Sequence, residues 1–100
     1  GLPISIDGLI VIPYWKGDDM IICIANGYYY ENGGTIASVQ LIFHDEDMKH
    51  VDKVGTEKLG LHYWAQFYPA KSVRYITVQI DNTDRLTFDL LDRKNHGWIQ

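Results

Sequence analysis

"MIICIANGYYYENGGTIASVQLIFH", residues 20–44, sets two Asn-Gly pairs, Asn26-Gly27 and Asn32-Gly33, between two runs rich in β-branched and apolar residues. A two-residue hairpin turn of type I′ needs φ > 0 at both central positions, and Asn-Gly supplies that conformation at little steric cost. Each pair is therefore a candidate turn. Placing the turn at Asn32-Gly33 sets Tyr30 against Thr35, Tyr28 against Ala37, Ile24 against Leu41 and Ile22 against Phe43, a nearly all-apolar face. The reverse face gathers Ile21, Cys23 and Tyr29 against His44, Ile42 and Ile36, a mixed and half-wetted surface. The spacing predicts one long hairpin from Met20 to His44 with its tip at Asn32-Gly33 and a β-bulge at Asn26-Gly27. A turn at Asn26-Gly27 is the alternative, and it leaves only the short strand "YYYE" between the pairs.

Working outward, "ISIDGLIVIPY" (residues 4–14) reads as one kinked strand or two short ones ended by Pro13, and "KGDD" (16–19) as a turn. In residues 44–60 the alternation breaks. Met48, Val51 and Val54 recur every third residue, acids cluster early and Gly55 follows, so a short helix is expected near residues 45–54. "LHYWAQFY" (61–68) resumes a strand in which Leu61, Tyr63, Ala65 and Phe67 oppose His62, Trp64, Gln66 and Tyr68. "SVRYITVQI", "DNTD" and "RLTFDLL" form a second hairpin with Leu86, Phe88 and Leu90 toward the core, and "WIQ" ends the chain as a short strand.

About six to eight strands with at most one helix and frequent turn signals predict an all-β, antiparallel two-sheet β-sandwich, immunoglobulin-like or jelly-roll-like. An OB-like β-barrel is the alternative, since that fold carries a helix between its third and fourth strands. The Cys…Trp…Cys spacing of true immunoglobulin domains is missing, because Cys23 is the single cysteine. One hundred residues correspond to one domain spanning 1–100 with one core, and no fixed internal period points to a repeat architecture.

Hydrophobic residues at 46% and charged residues at 22% are ordinary for a globular chain, which argues against disorder. Thirteen acids against nine bases give a formal charge of −4, with no run of Lys or Arg long enough to track phosphates, so nucleic acid is disfavoured as a partner. No apolar run nears the ~18 residues that cross a bilayer, so membrane insertion is not expected. The opening residues lack the basic and apolar regions of a secretory signal, and compartment and oligomeric state are not legible. Cys23, inside "MIICIA", reads as a small hydrophobe rather than a nucleophile.

The densest group of possible metal ligands is "HDEDMKH", with His44, Asp45, Asp47 and His50 as weak candidates. His44 and His50 stand six residues apart rather than at the three-to-five spacing common in zinc sites, so a solvated acidic loop is the simpler reading and no cofactor is expected. No nucleophile elbow, P-loop or dinucleotide fingerprint is present, and catalysis is not expected. What stands out is the aromatic content: three Trp, seven Tyr and three Phe. Trp and Tyr offer rigid contact area with a polar tip. On an exposed face, Trp64 and Tyr68 flanked by Gln66 and His62 would suit a sugar ring or a protein, with Tyr14, Trp15 and Tyr29 as further contacts. The competing reading buries Trp64 and Tyr68 in the core. The expected function is thus a non-catalytic module binding a protein or glycan through aromatic residues on a sheet face or loop ends. Two alternatives remain open: an acidic inhibitor or immunity-type protein meeting a basic partner through Asp18, Asp19, Glu46 and Asp47, and a small metal-dependent enzyme using the His44–His50 region.

Overall fold

The structure is a computed structural model that describes residues 4–6, 9–17, 19–25, 38–60 and 62–91. Among these residues nine strands follow in chain order: β1 (Ile4–Ile6), β2 (Leu9–Lys16), β3 (Asp19–Ala25), β4 (Val39–His44), β5 (His50–Gly55), β6 (Glu57–Leu59), β7 (His62–Phe67), β8 (Tyr75–Ile80) and β9 (Thr83–Asp89). They form two antiparallel sheets, one of five strands in the order β1-β2-β3-β7-β6 and one of four in the order β5-β4-β8-β9. No helix occurs among the described residues, and hence none long and apolar enough to cross a membrane.

Alternation explains why these segments are strands and which way they face. In β4 the pattern Val39, Leu41, Phe43 is buried while Gln40, Ile42 and His44 are half-buried, as period-two side chains require. Ile76, Val78 and Ile80 of β8 and Phe88 of β9 complete the inner side of the four-stranded sheet. The five-stranded sheet supplies Val11, Met20, Ile22, Ile24, Tyr63 and Ala65 to the same core cluster. The layers touch directly at Phe43 and Phe67, whose ring centroids lie 4.8 Å apart at 40°. Full burial of one such aliphatic side chain contributes about 1.5–3 kcal/mol, so this shared interior is the main stabilising feature of a two-layer arrangement compatible with a sandwich.

The turns are built from local chemistry. Gly17, at φ +62°, reverses the chain between Lys16 and Asp19, which face each other across β2 and β3, in agreement with the "KGDD" expectation. Asp81 and Asn82 at φ +51° and +66° form the tight β8–β9 turn, the left-handed pair of a type I′ hairpin. Leu86, Phe88 and Leu90 face inward there as expected, Leu86 being half-buried against the core.

Three expectations are corrected. The helix near 45–54 is instead the β4–β5 hairpin: the Asp45 carboxylate accepts from the amides of Asp47 and Lys49, both at 2.9 Å, and Met48 sits at φ +61°, a conformation no α-helix continues through. Val54 pairs with Leu41 and leans on the core while Met48 and Val51 are exposed, so the three-residue spacing does not mark one helical face. Without that helix, and with two separate sheets, the OB-like barrel loses its support. The long Met20–His44 hairpin is also absent, because β3 pairs with β2 and β7 while β4 pairs with β5 and β8. Ile22 and Ile24 share the core with Leu41 and Phe43 from opposite layers instead of lying beside them. Alternation identified the inward residues, but tight turns at Gly17 and Asp45 give each strand a nearer partner. Pro13 does not end its strand: β2 runs on to Lys16 and Pro13 pairs with Ile22 of β3, while among the described residues β1 pairs with β2 only as far as Val11, and an edge position is where a strand tolerates proline. The proposed tip at Asn32-Gly33, the bulge at Asn26-Gly27 and the strand at Trp98–Gln100 lie outside the described residues.

Candidate functional site

Directly opposed residues of antiparallel strands share a face, so the register of the five-stranded sheet specifies its outer surface. One row across β2, β3, β7 and β6 is Ile12, Cys23, Trp64 and Glu57. Two residues along β7 one way, Gln66 is paired with Ile21; the other way, His62 lies between Ala25 and Leu59. Ile12, Ile21, Cys23 and Trp64 are half-buried, whereas Ile10 and Leu59 are 40% and 61% exposed. Tyr68, just beyond β7, is 64% exposed. Aliphatic and aromatic carbon therefore fills the middle of a face that a solvated sheet would line with polar groups.

Of the residues proposed from sequence, His62, Trp64 and Gln66 are brought together here, with Tyr63 and Ala65 buried on the opposite side of β7. Tyr14 and Trp15 lie in β2, paired with Ile21 and Met20, and their side chains fall outside the described set, as does the whole of Tyr29. The Trp64 indole Nε1 is shut off from solvent and has no hydrogen-bond partner among the described residues. What Trp64 shows to its surroundings is consequently ring carbon, which favours apolar or π contact over hydrogen bonding. Gln66 donates from Nε2 to Asp19 Oδ2 at 2.9 Å, which fastens one end of the face. Burial pushes the Cys23 thiol above its ordinary value of 9.0, so it stays protonated and behaves as the hydrophobe its surroundings suggest.

The weak metal candidates are placed differently. His44 Nε2 lies 3.2 Å from Thr77 Oγ1, Asp45 is occupied by its turn, and Asp47 and His50 are exposed. Among the described residues no three His, Cys, Asp or Glu side chains gather to hold a metal ion. Glu46 and Asp47 border a cleft with Lys71, Ser72 and Arg74 at the end of the four-stranded sheet; Arg74 is held by Asp89 through two hydrogen bonds of 2.7 and 3.0 Å, which raise its pKa further.

Glu57, Leu59, Ile10 and Ile12 belong to the face and were not found by sequence reasoning. The two isoleucines lie in a continuous apolar run, residues 9–15, which hides the face each takes; for Glu57 and Leu59 there was no signal once residues 44–60 read as helical. No protein-family model, curated protein or solved structure matches the chain, so its function has to be read from its own side chains.

Proposed function

We propose that this chain is a non-catalytic binding module that docks a protein or glycan on the outer face of its five-stranded sheet, with His62, Trp64, Gln66 and Tyr68 as contacts. The observation that carries the reading is Trp64: a half-buried tryptophan in the middle of an outward face, among Ile12, Ile21 and Cys23, where alternation calls for polar residues. Contiguous exposed apolar surface is costly for a soluble domain unless something binds it. The aliphatic surroundings favour a protein over a glycan, since a sugar platform needs polar groups all round the stacked ring and Ile12, Ile21 and Cys23 take the side away from Glu57, His62 and Gln66. We read the layers as the immunoglobulin-like form of the sandwich rather than the jelly roll. With β1 set aside, the orders β2-β3-β7-β6 and β5-β4-β8-β9 correspond to the A-B-E-D sheet and to the C-F-G sheet with an added C′ edge. That correspondence concerns fold, and the functional reading rests on the face itself.

The test compares wild type with Trp64→Ala, Tyr68→Ala and, on the opposite sheet, Thr87→Ala, each verified as folded, against a panel of displayed proteins and an array of glycans. Ligands held by wild type should be lost by the first two variants and kept by the third. Ligands that bind all four proteins equally would overturn the reading.

A further inference from the structure

β6 has only three residues and pairs with β7 at His62–Trp64 alone, because Gly55 ends β5 in the other sheet and Thr56 is the single residue between β5 and β6. The edge of β7 beyond Trp64 is therefore left without a neighbouring strand among the described residues. The resulting notch encloses about 180 Å³ and is lined by Val54, Gly55, Glu57, Trp64, Ala65 and Gln66.

The one charged side chain among the described residues that line it is a carboxylate. Glu57 is exposed and contributes a carboxylate; Gln66 gives one Nε2 hydrogen to Asp19 and keeps its carboxamide oxygen as an acceptor; Trp64 has its N–H shut away and contributes ring surface. Among the described residues no cationic side chain lines the notch and Glu57 has no ion-pair partner. The remaining walls, Val54, Gly55 and Ala65, are small or aliphatic. An aromatic ring attracts a cation placed over it, a carboxylate adds charge-assisted hydrogen bonds, and an apolar wall suits the methylene stem that Arg and Lys bury while keeping the charged head in contact with polar groups. An anion would meet the Glu57 charge.

We propose that this notch receives the cationic end of an arginine or lysine side chain presented by the partner. The proposal rests on the reading of the adjoining face as a docking surface: the apolar centre at Ile21, Cys23 and Trp64 supplies area, and the notch selects a partner that carries a positive charge beside an apolar strip.

The probe is N-acetyl-arginine amide, titrated at constant ionic strength into the ¹⁵N-labelled full chain while the Trp64 indole N–H resonance is followed. A saturable shift is expected. Glu57→Gln, an exposed edge substitution that leaves the core intact, should weaken binding about fivefold, the scale of one exposed cation contact. N-acetyl-citrulline amide, which keeps the shape and loses the charge, should bind more weakly by a similar factor; Asp84→Asn on the other sheet should change nothing. Absence of a saturable shift, equal binding of arginine and citrulline amides, or an undiminished response in Glu57→Gln would overturn the proposal. If Trp64→Ala abolishes binding of a displayed protein while the two amides behave alike, the notch assignment fails and the docking face stands.

Discussion

The outer faces of the two sheets are made from the same strand geometry and differ in everything else. On the four-stranded sheet His44, Thr77 and Thr87 form a hydrogen-bonded row, His44 Nε2 to Thr77 Oγ1 at 3.2 Å and Thr77 Oγ1 to Thr87 Oγ1 at 2.7 Å, flanked by Gln79 bonded to Asp84 and Arg74 bonded to Asp89. Thr77, at the centre of this row, is only 2% exposed. On the five-stranded sheet the equivalent central positions are Ile12, Ile21, Cys23 and Trp64, and the outer row includes the exposed Ile10 and Leu59. The four-stranded face joins its polar groups to one another, with His44 Nδ1 left unpartnered among the described residues and Ile42 opposite Thr77, whereas the five-stranded face leaves carbon facing outward at its centre. Both sheets use their inner faces for the core, so stability does not require this asymmetry, which is the ground for the partner proposed above.

Substitutions can break the comparison in order of their size. The inner faces set the scale: Leu41→Ala removes a fully buried side chain and should cost about 2–5 kcal/mol in urea unfolding. Next comes the polar face. Thr77→Val keeps the shape but deprives His44 and Thr87 of a partner, and with Thr77 almost wholly buried the loss should be about 1–3 kcal/mol. The apolar face should lose the least stability. Ile21→Ser removes a half-buried side chain at a cost of about 1 kcal/mol or less, while binding of an apolar dye such as ANS falls. A larger stability loss at Ile21 than at Thr77 would mean that the apolar face belongs to the core.

Two smaller effects separate the faces by solution conditions. Burial holds the Cys23 thiol above 9.0, so below that pH the thiol is protonated in both the folded and unfolded chains. As pH rises through 9.0 the unfolded chain ionises first, and the stability that depends on a neutral thiol is lost. Cys23→Ser should flatten the decline in denaturation midpoint between neutral and alkaline pH, and a thiol reagent should label the folded protein more slowly than free cysteine. On the other sheet the Arg74–Asp89 pair is about one-third exposed on both sides, where salt screens the attraction. Asp89→Asn should have its smallest effect at high salt, a dependence that Ile21→Ser should lack.

Much of the site and less of the topology could be read from residues alone. The separation of His62, Trp64 and Gln66 from Tyr63 and Ala65 follows from period two and holds without knowledge of any neighbour. The β8–β9 hairpin was likewise legible, since Asp81-Asn82 carries its turn chemistry locally. Sheet membership was not: Ile22 and Leu41 both face inward whether their strands lie side by side or across the core, and only long-range pairing decides between the two. The β5 strand was hidden because Met48, Val51 and Val54 mimic a helical period while a side-chain-capped turn at Asp45 reverses the chain. With β5 and β6 unseen, the Glu57 side of the notch had no sequence signal.

The central claim is that recognition belongs to the five-stranded sheet. It is tested most directly by mapping, in the NMR spectrum of the labelled chain, the resonances perturbed by a ligand selected on wild type. The account predicts that they cluster at Ile21, Cys23, Trp64, Gln66 and Tyr68 with Thr77, Gln79 and Thr87 unmoved. Perturbations centred on Thr77, Gln79 and Thr87 with Trp64 silent would contradict it.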